Sequence, residues 1–157
     1  MKRQRVEERG LERQGPYKEL FDKYPQYLFN KDSNYAMQLY GFQVSKQWFE
    51  PIKKLFDGIH SYLQENPVDN FWVAQVKEKY GYLRVYYRGR NPDGTAWIKP
   101  IDDLIQQAEQ ECSVICEFCG KPGTVHSPNK RWVHCACPDH SEQLKTKLPR
   151  DLDNADY

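Results

Sequence analysis

The amino-acid sequence predicts an α+β fold: a small antiparallel sheet packed by helices and followed by a C-terminal Cys3His zinc finger of treble-clef or ribbon type. Apolar residues recur every three or four positions between residues 48 and 63, which is typical of a helix with one buried face. Two runs between residues 71 and 88 are rich in β-branched and aromatic residues and flank a short turn, which predicts a hairpin. Residues 116–140 hold four of the five cysteines and three of the four histidines, which predicts a metal site.

Length and composition indicate one domain with an aromatic core. The chain has 157 residues, of which 14% are aromatic and 29% are charged. Aromatic side chains supply a large apolar area per residue, and a zinc ion can reinforce a small core. The 23 Lys and Arg residues nearly balance the 22 Asp and Glu residues, so the overall charge does not indicate nucleic-acid binding.

The chain divides into an arm, a core, a finger and a tail. Residues 1–15 carry five basic and three acidic side chains but few apolar ones, which predicts a mobile charged arm. In the tail, residues 144–148 could extend a short helix that ends at Pro149, and the last seven residues, DLDNADY, read as a loose acidic end. The predicted segments are the arm 1–15, an α+β core 16–115, a zinc finger 116–140 packed on the core in the same domain, and the tail 141–157.

Three helices are predicted in the core from apolar residues at helical spacing. A short one covers residues 20–24 and ends before Pro25. The longest pattern covers residues 48–63 and requires Pro51 in its first turn, because a proline deeper in a helix removes a hydrogen bond and clashes with the preceding turn. The third covers residues 101–112 and leads into the metal site.

The second strand of the predicted hairpin alternates between two kinds of side chain. Leu83, Val85 and Tyr87 share one face, and aromatic and basic residues share the other. Such a face could stack bases and contact phosphates, and it is also what the solvent-facing side of a sheet looks like. The candidate surface for a nucleic acid or another partner is Lys77, Lys79, Tyr82, Arg84, Tyr86 and Arg88. After the turn at residues 91–94, residues 95–98 could add a third strand.

An acidic segment could neutralise this basic hairpin. Residues 101–111 carry four acidic side chains and no Lys or Arg. If the helix predicted there lies beside the hairpin, its charges cancel a local surplus of four positive charges over residues 75–90. The sequence leaves open whether the acidic helix covers the hairpin.

Two pairs of residues have metal-ligand spacing. Cys116 and Cys119 form one CxxC pair, and Cys137 and His140 form a CxxH pair after 17 intervening residues. Gly120 follows the first pair, where a tight knuckle requires positive φ. Four protein ligands leave no position for water or substrate, so a structural zinc ion is expected.

Other residues compete for the ligand roles. Cys135 could replace Cys137 as the third thiolate, although a CxC pair would be tighter and would leave His140 unused. His126 and His134 are predicted to be loop and strand residues. Disulfides are an alternative for the whole cluster, but an odd number of cysteines and no recognisable secretory segment argue against them. We therefore expect a cytoplasmic protein without a membrane span.

The combined motifs resemble a family of small uncharacterised zinc-finger proteins from bacteriophages, prophages and bacteria. The relevant stretches are QVKEKYGYLRVYY, QQAEQECSVICEFCGKPG and WVHCACPDH, and the family pattern is approximately QVKEKFGxLRFY, CExCGxPG and CxxH. The similarity covers about half the chain, residues 71–140 most clearly, and implies Cys116, Cys119, Cys137 and His140 as ligands. It implies a phage or mobile-element setting and, if phage-encoded, the host cytoplasm. This chain departs from the pattern with Cys112, Cys135 and Arg131, where Ser, Thr and Gly are expected.

Three functions remain open from the sequence. The first is a non-enzymatic zinc-stabilised binding module that binds a host macromolecule, with a protein favoured over nucleic acid and inhibition of host defence as one role by analogy. The second is a single-stranded or duplex nucleic-acid-binding protein that uses the Tyr and Arg face of the hairpin. The third is an HNH-like nuclease using His126, Asn129 and His140, although the spacing is short for that finger. The sequence does not give the oligomeric state.

Overall fold

The computed structural model describes residues 4–29 and 35–152 and confirms the α+β fold, with two antiparallel hairpins and several helices. The α-helices are α1 Val6–Arg9, α2 Lys18–Lys23, α3 Pro25–Leu28, α4 Ala36–Tyr40, α5 Phe49–Glu65, α6 Lys99–Cys112 and α7 Pro138–Gln143. The strands are β1 Asp69–Lys79, β2 Tyr82–Arg90, β3 Thr124–His126 and β4 His134–Ala136, and 3-10 turns cover Leu11–Tyr17, Lys46–Trp48 and Pro149–Asp151. No helix in the described ranges is long and apolar enough to cross a membrane.

Helix α5 is the central helix of the core and matches the predicted pattern. The Ser45 side chain accepts a hydrogen bond from the Gln47 N–H at 3.0 Å and caps the turn that leads into α5. Pro51 lies in the first turn, as required. The middle of the apolar stripe of α5, including Ile52 and Phe56, is completely buried.

The β1–β2 hairpin forms as predicted around a two-residue turn. Tyr80 and Gly81 both have positive φ, 54° and 78°, which is the conformation that a tight hairpin turn requires. Lys79 then faces Tyr82 across the antiparallel pair. Along β2, buried and more exposed residues alternate from Tyr82 to Tyr86, so the two predicted faces are distinct.

The predicted third strand at residues 95–98 is wrong, because this segment folds as a turn. The Asn91 N–H donates to the Thr95 carbonyl at 2.8 Å, so the segment uses its hydrogen bonds internally. The sheet instead gains a contact on the other side of β1, where Gln43 makes a parallel bridge with Lys77. The Gln43 N–H donates to the Val76 carbonyl at 2.9 Å.

The prediction of a mobile arm is wrong for residues 4–15, the part of the arm that the structure describes. Val6 is 2% exposed and belongs to the main core, and it lies in the short helix α1. The Gln14 side-chain oxygen accepts a hydrogen bond from the Phe42 N–H at 3.0 Å. The buried Val6 side chain and the Gln14 hydrogen bond thus attach this polar segment to the core. The low apolar content of the segment gave no sign of this attachment. Residues 1–3 lie outside the described residues.

Helix α6 packs against α5 and β2. Pro100 lies at its first turn, where a missing N–H costs nothing. The Tyr87 hydroxyl donates to one Asp102 carboxylate oxygen at 3.1 Å and accepts from the Ile98 N–H at 3.2 Å, which joins the start of α6 to the hairpin.

The tail is also more ordered than predicted. The short helix expected at residues 144–148 lies earlier, as α7. Leu144 is 1% exposed and Leu152 is 7% exposed, and both join a small apolar cluster with Phe118. The prediction of a loose tail is therefore wrong at Leu152. Residues 153–157 lie outside the described residues.

Candidate functional site

The first pair of candidate ligands lies on a tight knuckle. After Cys116, the chain turns so that the Gly120 N–H donates to the Cys116 carbonyl at 2.9 Å. Gly120 has φ of 78°, the left-handed conformation that glycine adopts without strain. The Cys116 N–H donates to the Lys121 carbonyl at 2.8 Å, which closes the loop. The knuckle therefore holds Cys116 and Cys119 side by side.

The second pair lies at the junction of β4 and α7. Cys137 is the N-cap residue of α7, and its sulfur accepts a hydrogen bond from the His140 N–H at 3.5 Å. The helix then turns the His140 side chain towards the same sulfur. A knuckle, a β hairpin and a helix that begins with two ligands follow one another in the order of a treble-clef finger.

The four predicted ligands come together in one cluster. The ligand atoms of Cys116, Cys119, Cys137 and His140 all lie within 4.8 Å of one another. The Cys119 and Cys137 sulfurs are 3.7 Å apart, and the His140 Nδ1 lies 3.6 Å from the Cys116 sulfur and 3.3 Å from the Cys137 sulfur. A tetrahedral ion with bonds of about 2.3 Å to sulfur and about 2.0 Å to nitrogen separates its ligands by about 3.5 to 3.8 Å. The cluster thus fits one tetrahedral metal ion.

The two thiols of the cluster that are most buried differ in acidity. Burial raises the pKa of Cys137, but the His140 backbone N–H and the side chains of Cys119, His140 and Cys116 outweigh burial and bring that pKa down to about 7. Burial raises the pKa of Cys116 to about 11. A metal ion binds thiolates, so its charge would have to deprotonate the Cys116 thiol.

Cys135, the alternate ligand, lies outside the cluster of four. Its sulfur donates to the Ser113 carbonyl at 3.3 Å, on the side of the core, and it is completely buried. Burial raises the pKa of Cys135 to about 12 and raises the pKa of Cys112 as well. Both thiols pack as small apolar groups.

A buried carboxylate that the sequence analysis missed joins the knuckle to β4. Glu117 is 1% exposed, and its two carboxylate oxygens contact the His134 Nδ1 at 3.0 Å and the Cys135 N–H at 3.2 Å. The Ser45 hydroxyl donates to the Glu117 carbonyl oxygen, which extends the connection to the turn before α5. A glutamate between two cysteines gives no sign in the sequence that it will be buried.

The finger also contacts the turn of the main hairpin. A Cβ atom at Gly81 would lie 2.9 Å from the His134 carbonyl carbon and 2.9 Å from a Val125 methyl group, so only glycine fits there. The Trp48 indole N–H donates to the Ile115 carbonyl at 2.9 Å just before the knuckle. The finger is therefore held against both the hairpin and the helical core.

The candidate partner surface forms the outer face of the hairpin, defined here by the six predicted residues and Trp72. The register places Lys77 opposite Arg84 and Lys79 opposite Tyr82, so the basic and aromatic side chains lie on one side. Tyr82 is 40% exposed and Tyr86 is 42% exposed. Trp72, opposite Arg88, extends the same face and was not recognised from the sequence.

Cations lie over the exposed aromatic rings of this outer face. The Lys77 ammonium is 5.9 Å from the Tyr86 ring centre, and the Arg84 guanidinium is 5.6 Å from the Tyr82 ring centre. The Arg88 guanidinium is 5.6 Å from the ring of Tyr35. These contacts support the rings and cations as one rigid surface.

The acidic helix α6 neutralises little of the outer face. Glu109 contacts Arg84 at 3.6 Å, whereas other acidic residues of α6 pair elsewhere, Asp103 with Lys99 and Glu111 with Lys54. Among the residues that the structure describes, Lys77, Lys79 and Arg88 form no ion pair. Positive charge therefore remains on the outer face.

The three residues considered for an HNH-like nuclease make separate local contacts. The His126 Nε2 lies 2.6 Å from the Ser141 hydroxyl, and the Asn129 side chain accepts from the backbone N–H groups of Arg131 and Trp132. His140 belongs to the candidate metal cluster.

Comparison with protein-family models, curated proteins and solved structures found no match. The resemblance to a phage and bacterial family therefore stays a prediction, and the site is interpreted from its own geometry.

Proposed function

We propose that the chain is a non-enzymatic binding module in which a structural zinc ion fixes the finger and the outer face of the hairpin binds a macromolecule. The observation that carries the proposal is the cluster of three thiols and one imidazole whose ligand atoms all lie within 4.8 Å of one another. Zinc is the expected ion because it prefers this donor set and this geometry. With four protein ligands the ion has no open position, so its role is to stabilise the finger.

The outer face is the proposed surface because it combines exposed rings with cations that, apart from Arg84, form no ion pair among the described residues. Tyr82, Tyr86, Lys77 and Arg88 lie together on a two-stranded sheet, and the zinc finger supports the turn at Gly81. The sequence analysis favoured a protein partner because an acidic helix could have covered the hairpin. That argument loses weight, since α6 offers Glu109 alone to the outer face. A phage origin and inhibition of a host defence component rest on the family resemblance.

A tagged pull-down tests the surface. The wild-type chain and an Arg84→Ala/Arg88→Ala variant are used to capture partners from host lysate, with and without nuclease. A Lys18→Ala/Lys145→Ala variant removes the same charge from exposed positions elsewhere. We expect one defined partner that the first variant loses and the control retains, with equal zinc content in all three. Equal capture by all three proteins would contradict the assigned surface.

A further inference from the structure

A cavity of about 930 Å³ lies at the open end of the main hairpin, next to the outer face. Trp72, Tyr86 and Arg88 belong to both the cavity and the outer face. Another part of the wall comes from the segment after β2 and includes Pro92, Gly94 and Trp97. The cavity therefore continues the aromatic and basic surface beyond the end of β2.

Trp97 is a large apolar side chain in an exposed but ordered position. It is 66% exposed, so its ring is accessible to a ligand. The loop that carries it is fixed by side-chain hydrogen bonds: the Asn91 amide donates to the Trp97 carbonyl at 2.9 Å, and the Asp93 carboxylate accepts from the Thr95 N–H at 2.9 Å. An exposed ring on a fixed loop can receive a flat ligand with little loss of conformational entropy.

The cavity wall contains two buried polar atoms without hydrogen-bond partners. Within the described residues, the Trp72 indole nitrogen and one Asp102 carboxylate oxygen make no hydrogen bond. Buried donors and acceptors are almost always paired in folded proteins, so two exceptions beside one cavity require an explanation. Both atoms are sealed from solvent, so a planar ligand with donors and acceptors, such as a nucleobase, would satisfy them only if these side chains turn towards the cavity.

The charges around this surface favour an anionic partner. Within residues 4–29 and 35–152, Lys77, Lys79 and Arg88 form no ion pair, and Arg90 at the cavity uses one guanidinium nitrogen to bind the Gly94 carbonyl at 3.0 Å. Asp69 and Asp102 also line the cavity, so the phosphates of a bound strand would have to lie on the outer face rather than inside the cavity. Rings alternating with cations suit a single strand, whose bases stack while its phosphates contact the cations.

We propose that the outer face and the cavity form one continuous site for single-stranded nucleic acid, with one base held in the cavity against Trp97. This inference rests on the proposed function, because it names the partner of the same surface. From Tyr82 to Arg90 the strand extends roughly 26 Å at about 3.3 Å per residue. That length accommodates roughly four or more nucleotides, within the range of known single-strand sites.

Fluorescence anisotropy with labelled oligodeoxythymidine of about twelve nucleotides tests this proposal, with a duplex of the same length as competitor. We expect Trp97→Ala to weaken binding roughly tenfold or more through lost stacking. Trp132→Ala is the matched control, because Trp132 is 62% exposed and lies outside the cavity. Between about 50 and 200 mM NaCl, Arg88→Ala should lower the salt slope by roughly 0.7.

The outcomes separate this proposal from the proposed function. Equal affinity of Trp97→Ala and wild type, or tighter binding of duplex than of single strand, overturns the single-strand site. The absence of oligonucleotide binding, together with capture of a nuclease-resistant partner that depends on Arg84 and Arg88, also overturns it but supports the binding module. Loss of both kinds of binding contradicts the binding module itself.

Discussion

The main core and the finger of this protein are stabilised by different means. The main core joins apolar side chains from Val6 to Cys135 and contains stacked aromatic pairs, such as Tyr17 and Phe42 with ring centres 4.5 Å apart. Among the described residues, the buried cluster under the finger consists of two candidate thiolate ligands together with Phe118, Ala136, Leu144 and Leu152. A unit with so few apolar side chains needs a metal ion to hold it together. A metal ion bound by the four candidate ligands would therefore replace apolar burial in the finger, whereas the core does not need one.

The largest expected effect is the loss of the metal site. Cys137→Ala should remove the metal and unfold the finger, because structural zinc contributes on the order of 10 kcal/mol in finger peptides. The main core should keep its fold. Metal content by elemental mass spectrometry and tertiary structure by NMR measure the two parts separately.

Cys135→Ala is the matched control for this change. Cys135 is buried but lies outside the ligand cluster, so the variant should keep one metal ion per chain. Metal loss from Cys135→Ala with retention in Cys137→Ala would reverse the ligand assignment.

A smaller effect is expected where the buried carboxylate is removed. Glu117→Ala leaves the Cys135 N–H and the His134 ring without their partner, which should lower the free energy of unfolding by roughly 2 to 3 kcal/mol. Urea denaturation of the metal-loaded protein measures this change. Glu142→Ala, at a side chain 73% exposed, should have almost no effect. Equal stability of the two variants would show that Glu117 does not join the knuckle to β4.

The contact between the main hairpin and the finger can be weakened by adding one methyl group at Gly81. Gly81→Ala places a Cβ 2.9 Å from the His134 backbone and adds strain at φ of 78°, which should cost roughly 1 to 3 kcal/mol. Gly94→Ala has a similar φ of 87° but no atom within 4 Å, so it isolates the backbone strain. Thermal unfolding should be affected more by Gly81→Ala. If both variants lowered the melting temperature equally, the close contact between Gly81 and the finger would not contribute to stability.

The smallest effect concerns thiol reactivity with and without the metal ion. In the metal-loaded protein Cys135 is completely buried, and burial raises its pKa to about 12, so iodoacetamide should leave it unmodified. A zinc chelator that unfolds the finger should expose Cys135 and allow its modification, as peptide mass spectrometry can show. Equal modification of Cys135 with and without the chelator would contradict the placement of this thiol.

Much of the fold followed from repeated local patterns in the sequence. In helix α5 and in the main hairpin, many residues follow one periodicity, so the buried face and the exposed face of each could be predicted. The four ligands followed from pair spacing, because a knuckle and a helix start each present two side chains from four consecutive residues.

The remaining features depend on single residues with no pattern around them. Val6 and Leu152 are buried apolar residues in otherwise polar segments, and their burial depends on distant partners. The parallel bridge at Gln43 is a backbone contact that any residue could make. Trp72 and Trp97 line one cavity only because the loop at residues 91–97 folds back on itself.

Hydrogen exchange with and without a strong zinc chelator tests the central claim most directly. The account predicts that the chelator removes amide protection from β3, β4 and α7, while α5 and the β1–β2 hairpin keep most of theirs. Protection that stays unchanged in the finger, or that disappears equally from finger and core, would contradict a structural metal confined to the finger.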